Sequence, residues 1–234
     1  MIKEEISLVF IPGFMLDESL WDEVSKELIN HQNRIKANLI HGNTIQEIAQ
    51  NITKNAPEKF LLVGFSLGGY IARSLAEQFP DRVRGLVLIA SSLRSDTEEE
   101  KKHKLTAIRL NSKETFRGLS SISIARALHP SNDNNKVLIK RIQEMGKNLG
   151  YEEFVKQSLL NRETYDTNKI LCPTLIISGA QDQMRSIEEA EEMHRKIKNS
   201  TLKVIEETGH MIPLEQPKKL VTTILGWMND EIKN

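Results

Sequence analysis

The stretch from Lys59 to Pro80, KFLLVGFSLGGYIARSLAEQFP, constrains this chain more than any other. Phe60 to Val63 is a short, unbroken apolar run, the pattern of a strand buried on both faces of a parallel sheet. Ile71, Leu75 and Phe79 then recur at helical spacing until Pro80 stops the helix. Between strand and helix stands Gly64-Phe65-Ser66-Leu67-Gly68. A serine forced into so tight a turn crowds its neighbours two residues away on either side, and glycine there removes the clash. The turn would push Ser66 Oγ out over the carboxyl end of the sheet, with the Leu67 N–H and the helix N-terminus beside it. A five-residue match is weak by itself, and the bland alternative is a plain glycine-rich turn. The strand before it and the helix after it give it weight.

A chain of 234 residues can bury one sizeable core, with room for a small inserted lid. Lys+Arg and Asp+Glu both number 32, so there is no electrostatic case for nucleic acid or an anionic membrane surface as partner. The start, MIKEEISLVFIPG, is acidic with only a short apolar run, and we expect neither a signal peptide nor a membrane span from it. The lone cysteine, Cys172, cannot form an internal disulfide, which fits a cytoplasmic location. Its place at the mouth of an apolar run predicts a small buried side chain.

In chain order, Ile6 to Ile11 is a buried-strand run ending in the loop Pro12-Gly13-Phe14. Asp17 or Ser19 can cap a helix carrying Leu20, Val24 and Leu28. Arg34 to Ile40 is a weaker strand, and Thr44 to Thr53 a helix with Ile45, Ile48 and Ile52 aligned. Val83 to Ala90 is a further buried strand. From Ser95 to about Arg162 there is no strand-like run. Amphipathic stretches at Thr97–Leu110, Asn111–Leu128, Asn135–Leu149 and Glu152–Leu160 predict about four helices there. They cannot extend a sheet and look like a lid inserted between two halves of one domain. We place the lid at 93–168 and the core at 1–92 and 169–234. The sheet resumes at Cys172 to Gly179, followed by a helix from about Ile187 to Ile197 capped by Ser186. A short strand at Leu202–Ile205 and a closing helix from Pro213 to Ile232 complete the chain.

Alternating strands and helices imply an α/β architecture, a mostly parallel sheet with helices on both faces. Chemistry in such sheets gathers at the carboxyl ends of the strands. Ser66, Asp182, His210 and the Phe14 loop each fall just past a predicted strand. A serine hydroxyl needs a base to attack at neutral pH, and His210 after the Gly209 hinge suits that role. Asp182 suits the carboxylate that orients the imidazole and stabilises its charged form, with Asp96 as second candidate. The Phe14 and Leu67 N–H groups could together hold an oxyanion. Singly, Asp182 could be a turn residue and His210 a surface histidine, as His31, His41, His103, His129 and His194 are expected to be. No His/Cys/Asp cluster has metal-ligand spacing, and we expect neither a metal nor a cofactor.

Val63-Gly-Phe-Ser-Leu-Gly-Gly69, Pro80-Asp-Arg-Val83, Cys172-Pro-Thr-Leu175 through Gly179 and Asp182, and Gly209-His210 together resemble the α/β-hydrolase superfamily. The likeness runs through most of the chain. It resembles most the small esterases and lyases with a four-helix lid, of the pimeloyl-carrier-protein methyl ester esterase type and of the menaquinone-pathway type that eliminates pyruvate. The resemblance implies a sheet of about six strands, lacking the family's first hairpin, and a Ser, Asp, His order that this chain follows. Where the family usually has His-Gly at the oxyanion loop, Pro12-Gly13 stands here. The leading expectation is a serine hydrolase of a small-molecule carboxylic ester or thioester. The alternatives are a lyase using the same triad for proton abstraction, with Arg73, Arg109, Arg117 or Arg126 holding an acidic substrate, and a ligand-binding protein with little turnover.

Overall fold

The computed structural model describes residues 6–28, 33–162 and 166–232. The expectations for the acidic start at residues 1–5 and for His31 fall outside them. Six strands form one sheet in which every neighbouring pair is parallel. They are β1 (Ser7–Ile11), β2 (Arg34–Lys36), β3 (Phe60–Phe65), β4 (Val83–Ile89), β5 (Thr174–Gly179) and β6 (Ser200–Ile205), in the spatial order β2-β1-β3-β4-β5-β6.

Alternation along each strand divides the core in two. Leu61, Val63 and Phe65 of β3 face one apolar cluster, while Phe60 and Leu62 face the other. Leu8 and Phe10 of β1 oppose Val9 and Ile11 in the same way. The first cluster is closed by α1 (Asp22–Glu27) and α9 (Pro217–Glu231), through Val24, Leu220, Ile224 and Trp227. The second is closed by α2 (Ile45–Asn55), α3 (Leu67–Gln78) and α7 (Ile187–Lys196). All six residues of β3 are buried, which is why the sequence there is continuously apolar.

Side chains mark where helices begin. Thr44 accepts a hydrogen bond from the Glu47 N–H at the start of α2, and Ser186 with Glu189 forms a capping box on α7. The weak strand expected over Arg34–Ile40 is shorter. It pairs with β1 alone, and Asn38 turns the chain by accepting from the Ile40 N–H.

Between β4 and β5 the chain makes a helical insertion: α4 (Glu98–Arg109), α5 (Ser121–Ala127) and α6 (Lys136–Leu159). Gly150, at φ 84°, breaks α6 where the sequence separates Asn135–Leu149 from Glu152–Leu160. The closing helix also divides, into α8 (Ile212–Glu215) and α9. Among the described residues, no helix is long and apolar enough to cross a membrane.

Candidate active site

Ser66 occupies the turn between β3 and α3 with φ 50° and ψ −112°. A side chain in that region carries strain, of order 1–3 kcal/mol, that the surroundings must offset. Two hydrogen bonds hold its backbone: the Ser66 N–H donates to Ile89 O at 2.8 Å, and Ser91 Oγ donates to Ser66 O at 3.0 Å. Met15, Ala90 and Glu207 also adopt positive φ. They follow β1, β4 and β6, so all four strained non-glycine residues among those described lie beyond strand carboxyl ends.

The loop after β6 brings His210 to the same edge. Its imidazole packs against the Phe65 ring, one residue before Ser66, with ring centroids 5.1 Å apart. Nδ1–H donates to Asp182 Oδ2 at 2.8 Å, and the Asp182 side chain is fully buried. Its other oxygen, Oδ1, accepts from the N–H groups of Met184 (2.8 Å) and Arg185 (2.9 Å). A carboxylate fixed by two backbone donors presents its second oxygen in one direction only, and that direction sets the imidazole tautomer with Nε2 free to accept. Among the described residues, no hydrogen bond joins Ser66 Oγ to His210.

Phe14 lies in the loop after β1. A Cβ on Gly68 would run into the carbonyl oxygens of Ile11 and Pro12, so the bare glycine lets that loop lie against the first turn of α3. Neither the Phe14 N–H nor the Leu67 N–H has a hydrogen-bond acceptor among the described residues. Leu67 opens α3, where an N–H has no acceptor within its own helix.

The insertion covers this loop. The Phe14 and Phe154 rings lie 6.0 Å apart, Phe154 stacks on Phe116 at 4.9 Å, and Met15 is buried with them. Gln157 Oε1 accepts from the Met15 N–H at 2.9 Å. The cover is apolar, and a cavity of about 490 Å³ opens elsewhere, lined by Ser95, Asp96, Lys101, Lys104, Ser158 and Asn161 among others.

Other residues singled out in the sequence go elsewhere. Asp96 pairs with Lys104 and with Arg162 (3.3 Å), at the two ends of the insertion. Arg109, Arg117 and Arg126 are exposed. Arg73 is buried, with its guanidinium over the Tyr70 ring and Nη1 donating to Ser92 O at 3.4 Å. Burial pushes the Cys172 thiol up to about 11, as expected for an inert side chain. His41, His103 and His194 are exposed, and His129 is half-buried. Among the described residues, no group of three or more His, Cys, Asp or Glu could hold a metal ion.

Three supporting residues carried no signal in the sequence: Ser91 behind the Ser66 turn, Gln157 against the loop after β1 and Glu215 beneath the His210 loop. Their partners are 25 and 142 residues away for the first two, and up to 86 for Glu215. Only the Glu215 contacts to Thr208 and Gly209 are local enough for a spacing argument to have found.

A family model described as the alpha/beta hydrolase fold matches residues 41–217. The chain is 23% identical over 256 residues to the monoacylglycerol lipase ABHD6 of Bos taurus, covering 95% of this chain and 75% of that protein. It is 32% identical over 93 residues to the pimeloyl-[acyl-carrier protein] methyl ester esterase of Salmonella newport (strain SL254), covering 36% of each. Among solved structures, a thermophilic esterase from Thermogutta terrifontis superposes with a TM-score of 0.83 at 24% identity, over 97% of this chain and 91% of that one.

Proposed function

The chain belongs to the alpha/beta hydrolase fold family, and we propose that it is a cofactor-independent serine hydrolase of carboxylic esters or thioesters. The observation that carries this reading is the buried Asp182–His210 pair, packed against the residue preceding a strained serine. Ser66 Oγ attacks the carbonyl carbon as His210 Nε2 takes the hydroxyl proton. Asp182 keeps the proton on Nδ1 and stabilises the imidazolium. The carbonyl oxygen becomes an oxyanion that accepts from the Phe14 and Leu67 N–H groups. As the tetrahedral species collapses, the C–O or C–S bond breaks and His210 returns its proton to the leaving alcohol or thiol. Water, deprotonated by the same imidazole, then attacks the acyl-enzyme; the acyl–Oγ bond breaks, His210 returns the proton to Ser66 Oγ, and the acid leaves.

The hydrogen bond from Ser66 to His210 forms on substrate binding, as such bonds often tighten only in the loaded enzyme. Residues 93–168 act as the lid, and the apolar cover around Phe14, Phe116 and Phe154 suits an apolar acyl group. The reading agrees with relatives named as a lipase and an esterase. The lyase alternative would draw its anion holders from Arg109, Arg117 and Arg126, which are exposed, or from Arg73, which is buried.

A fluorophosphonate probe should label Ser66 in the folded protein, and Ser66→Ala should abolish labelling and lower kcat on p-nitrophenyl esters by at least ~10³-fold. Folded protein that remains unlabelled overturns the proposal.

A further inference from the structure

Glu215, the last residue of α8, lies outside the Ser66, Asp182 and His210 set. Its carboxylate nevertheless accepts four hydrogen bonds. Oε1 accepts from the His129 N–H at 2.7 Å and from Asn132 Nδ2 at 2.9 Å, both in the segment after α5. Oε2 accepts from the Gly209 N–H at 2.9 Å and from Thr208 Oγ1 at 3.1 Å, both in the loop that carries His210. Each oxygen therefore serves one side of a joint.

The two sides also meet directly. The His210 N–H donates to Ala127 O at 2.8 Å. A Cβ on Gly209 would collide with the backbone of Leu128 and His129. The base thus hangs from a loop seated on the insertion as well as on the sheet. Thr208 and Gly209 are buried, so their donors have no water to turn to if the carboxylate is lost. Bonds to an ionised acceptor are also roughly twice as strong as neutral ones.

We propose that Glu215 is a positioning residue for His210, holding the base loop in register with Asp182 and tying it to the docked insertion. It touches no reacting atom. The catalytic part of this inference rests on the serine hydrolase reading, and its structural part does not.

The test uses Glu215→Gln, which keeps the shape but turns one acceptor oxygen into a donor, so one side of the joint loses its acceptor. The downfield proton of His210 Nδ1–H, followed by NMR, should exchange with solvent at least ~10-fold faster than in the wild type. With p-nitrophenyl butyrate, kcat should fall about 10-fold while KM stays within about twofold, the split expected when base alignment rather than substrate contact is lost. Thr208→Val removes one loop-side donor and should shift both readouts the same way by less. It also serves if Glu215→Gln does not fold. An unchanged Nδ1–H resonance in the folded variant overturns the proposal, whatever happens to kcat. Failure of the hydrolase reading shows separately, as wild-type protein that no fluorophosphonate labels, and the resonance still judges Glu215.

Discussion

The sheet and the insertion bury their side chains by different rules. Every residue of β3 is buried, and its two faces feed two clusters. In α4 no residue is buried, and Leu110, Ile122 and Val137 of the insertion are 78%, 71% and 81% exposed. A strand enclosed on both faces tolerates few changes of size, because interiors are close-packed. A helix lying on the surface by one stripe can change its outer residues freely. Ser66 and the Asp182–His210 pair lie past the strand ends, while the insertion supplies the apolar cover over Phe14. We expect the strand-end residues to govern reaction rate and the cover over Phe14 to govern acyl preference, an expectation that measurement can break.

The sharpest challenge compares Asp182→Asn with Phe154→Ala. The asparagine cannot hold the imidazole in the required tautomer, and kcat should fall about 10⁴-fold on every ester tried. Phe154→Ala should leave kcat within about fivefold, because its ring meets Phe14 and makes no ring contact with His210. Steady-state kinetics on a short and a long acyl ester would show this. An equal loss from both variants would erase the boundary between core and cover.

Two glycines extend the comparison to stability. Gly68→Ala drives a methyl into the carbonyl oxygens of Ile11 and Pro12, and backbone must move. We expect a loss of about 3 kcal/mol, roughly 6–12 °C in melting temperature. Gly150→Ala in α6 meets no atom within 4 Å and bears only the cost of φ 84°. About 1 kcal/mol, or 2–4 °C, is expected there. Thermal melts that rank the two in reverse would mean the Pro12 loop yields more easily than its packing implies.

The same division governed what could be read from residues alone. Phe60–Val63, the Ser66 turn, Asp182 and His210 were legible because double-sided burial forces continuous apolar runs, and strand ends follow from where those runs stop. The closing helix was harder. Pro213 to Ile232 has one apolar periodicity, but Pro217 forces Gln216 out of the helical region, to φ −134° and ψ 50°, and splits the segment in two. Glu215 sits at that break, so the feature that blurs the helix also aims the carboxylate at Gly209. In the insertion, breakers located the helices, but no periodicity foretold that Phe154 would meet Phe14 or that Gln157 would bind the Met15 N–H. Such contacts depend on how the helices cross, which pattern does not encode.

A milder test concerns substrate. Phe116 and Phe154 stack at 4.9 Å over Phe14 and Met15. Removing one ring should raise KM for a long-chain ester roughly fivefold and change it little for an acetyl ester, as expected from about 1 kcal/mol of lost apolar contact. Equal KM changes for both esters would mean the acyl chain leaves by another route.

The smallest expected effect lies where the return from the insertion meets α3. Glu77 stands there, facing Arg73 from its own helix and Lys169 and Asp166 from the returning segment. Burial pushes its carboxyl up from 4.5 to about 7, against the pull of Arg73 and Lys169. The folded state thus keeps a proton that the unfolded chain has released between those values. Stability from this group is full below pH 4.5, declines as pH rises to about 7, and is level beyond. Glu77→Gln removes the slope: the variant should match the wild type near pH 4.5 and exceed it at pH 8. The side chain is partly open to water, so screening trims the gain to roughly 1 kcal/mol or less, at most 2–4 °C. Parallel melting curves for both proteins from pH 4.5 to pH 8 would show instead that Arg73 and Lys169 outweigh burial at this joint.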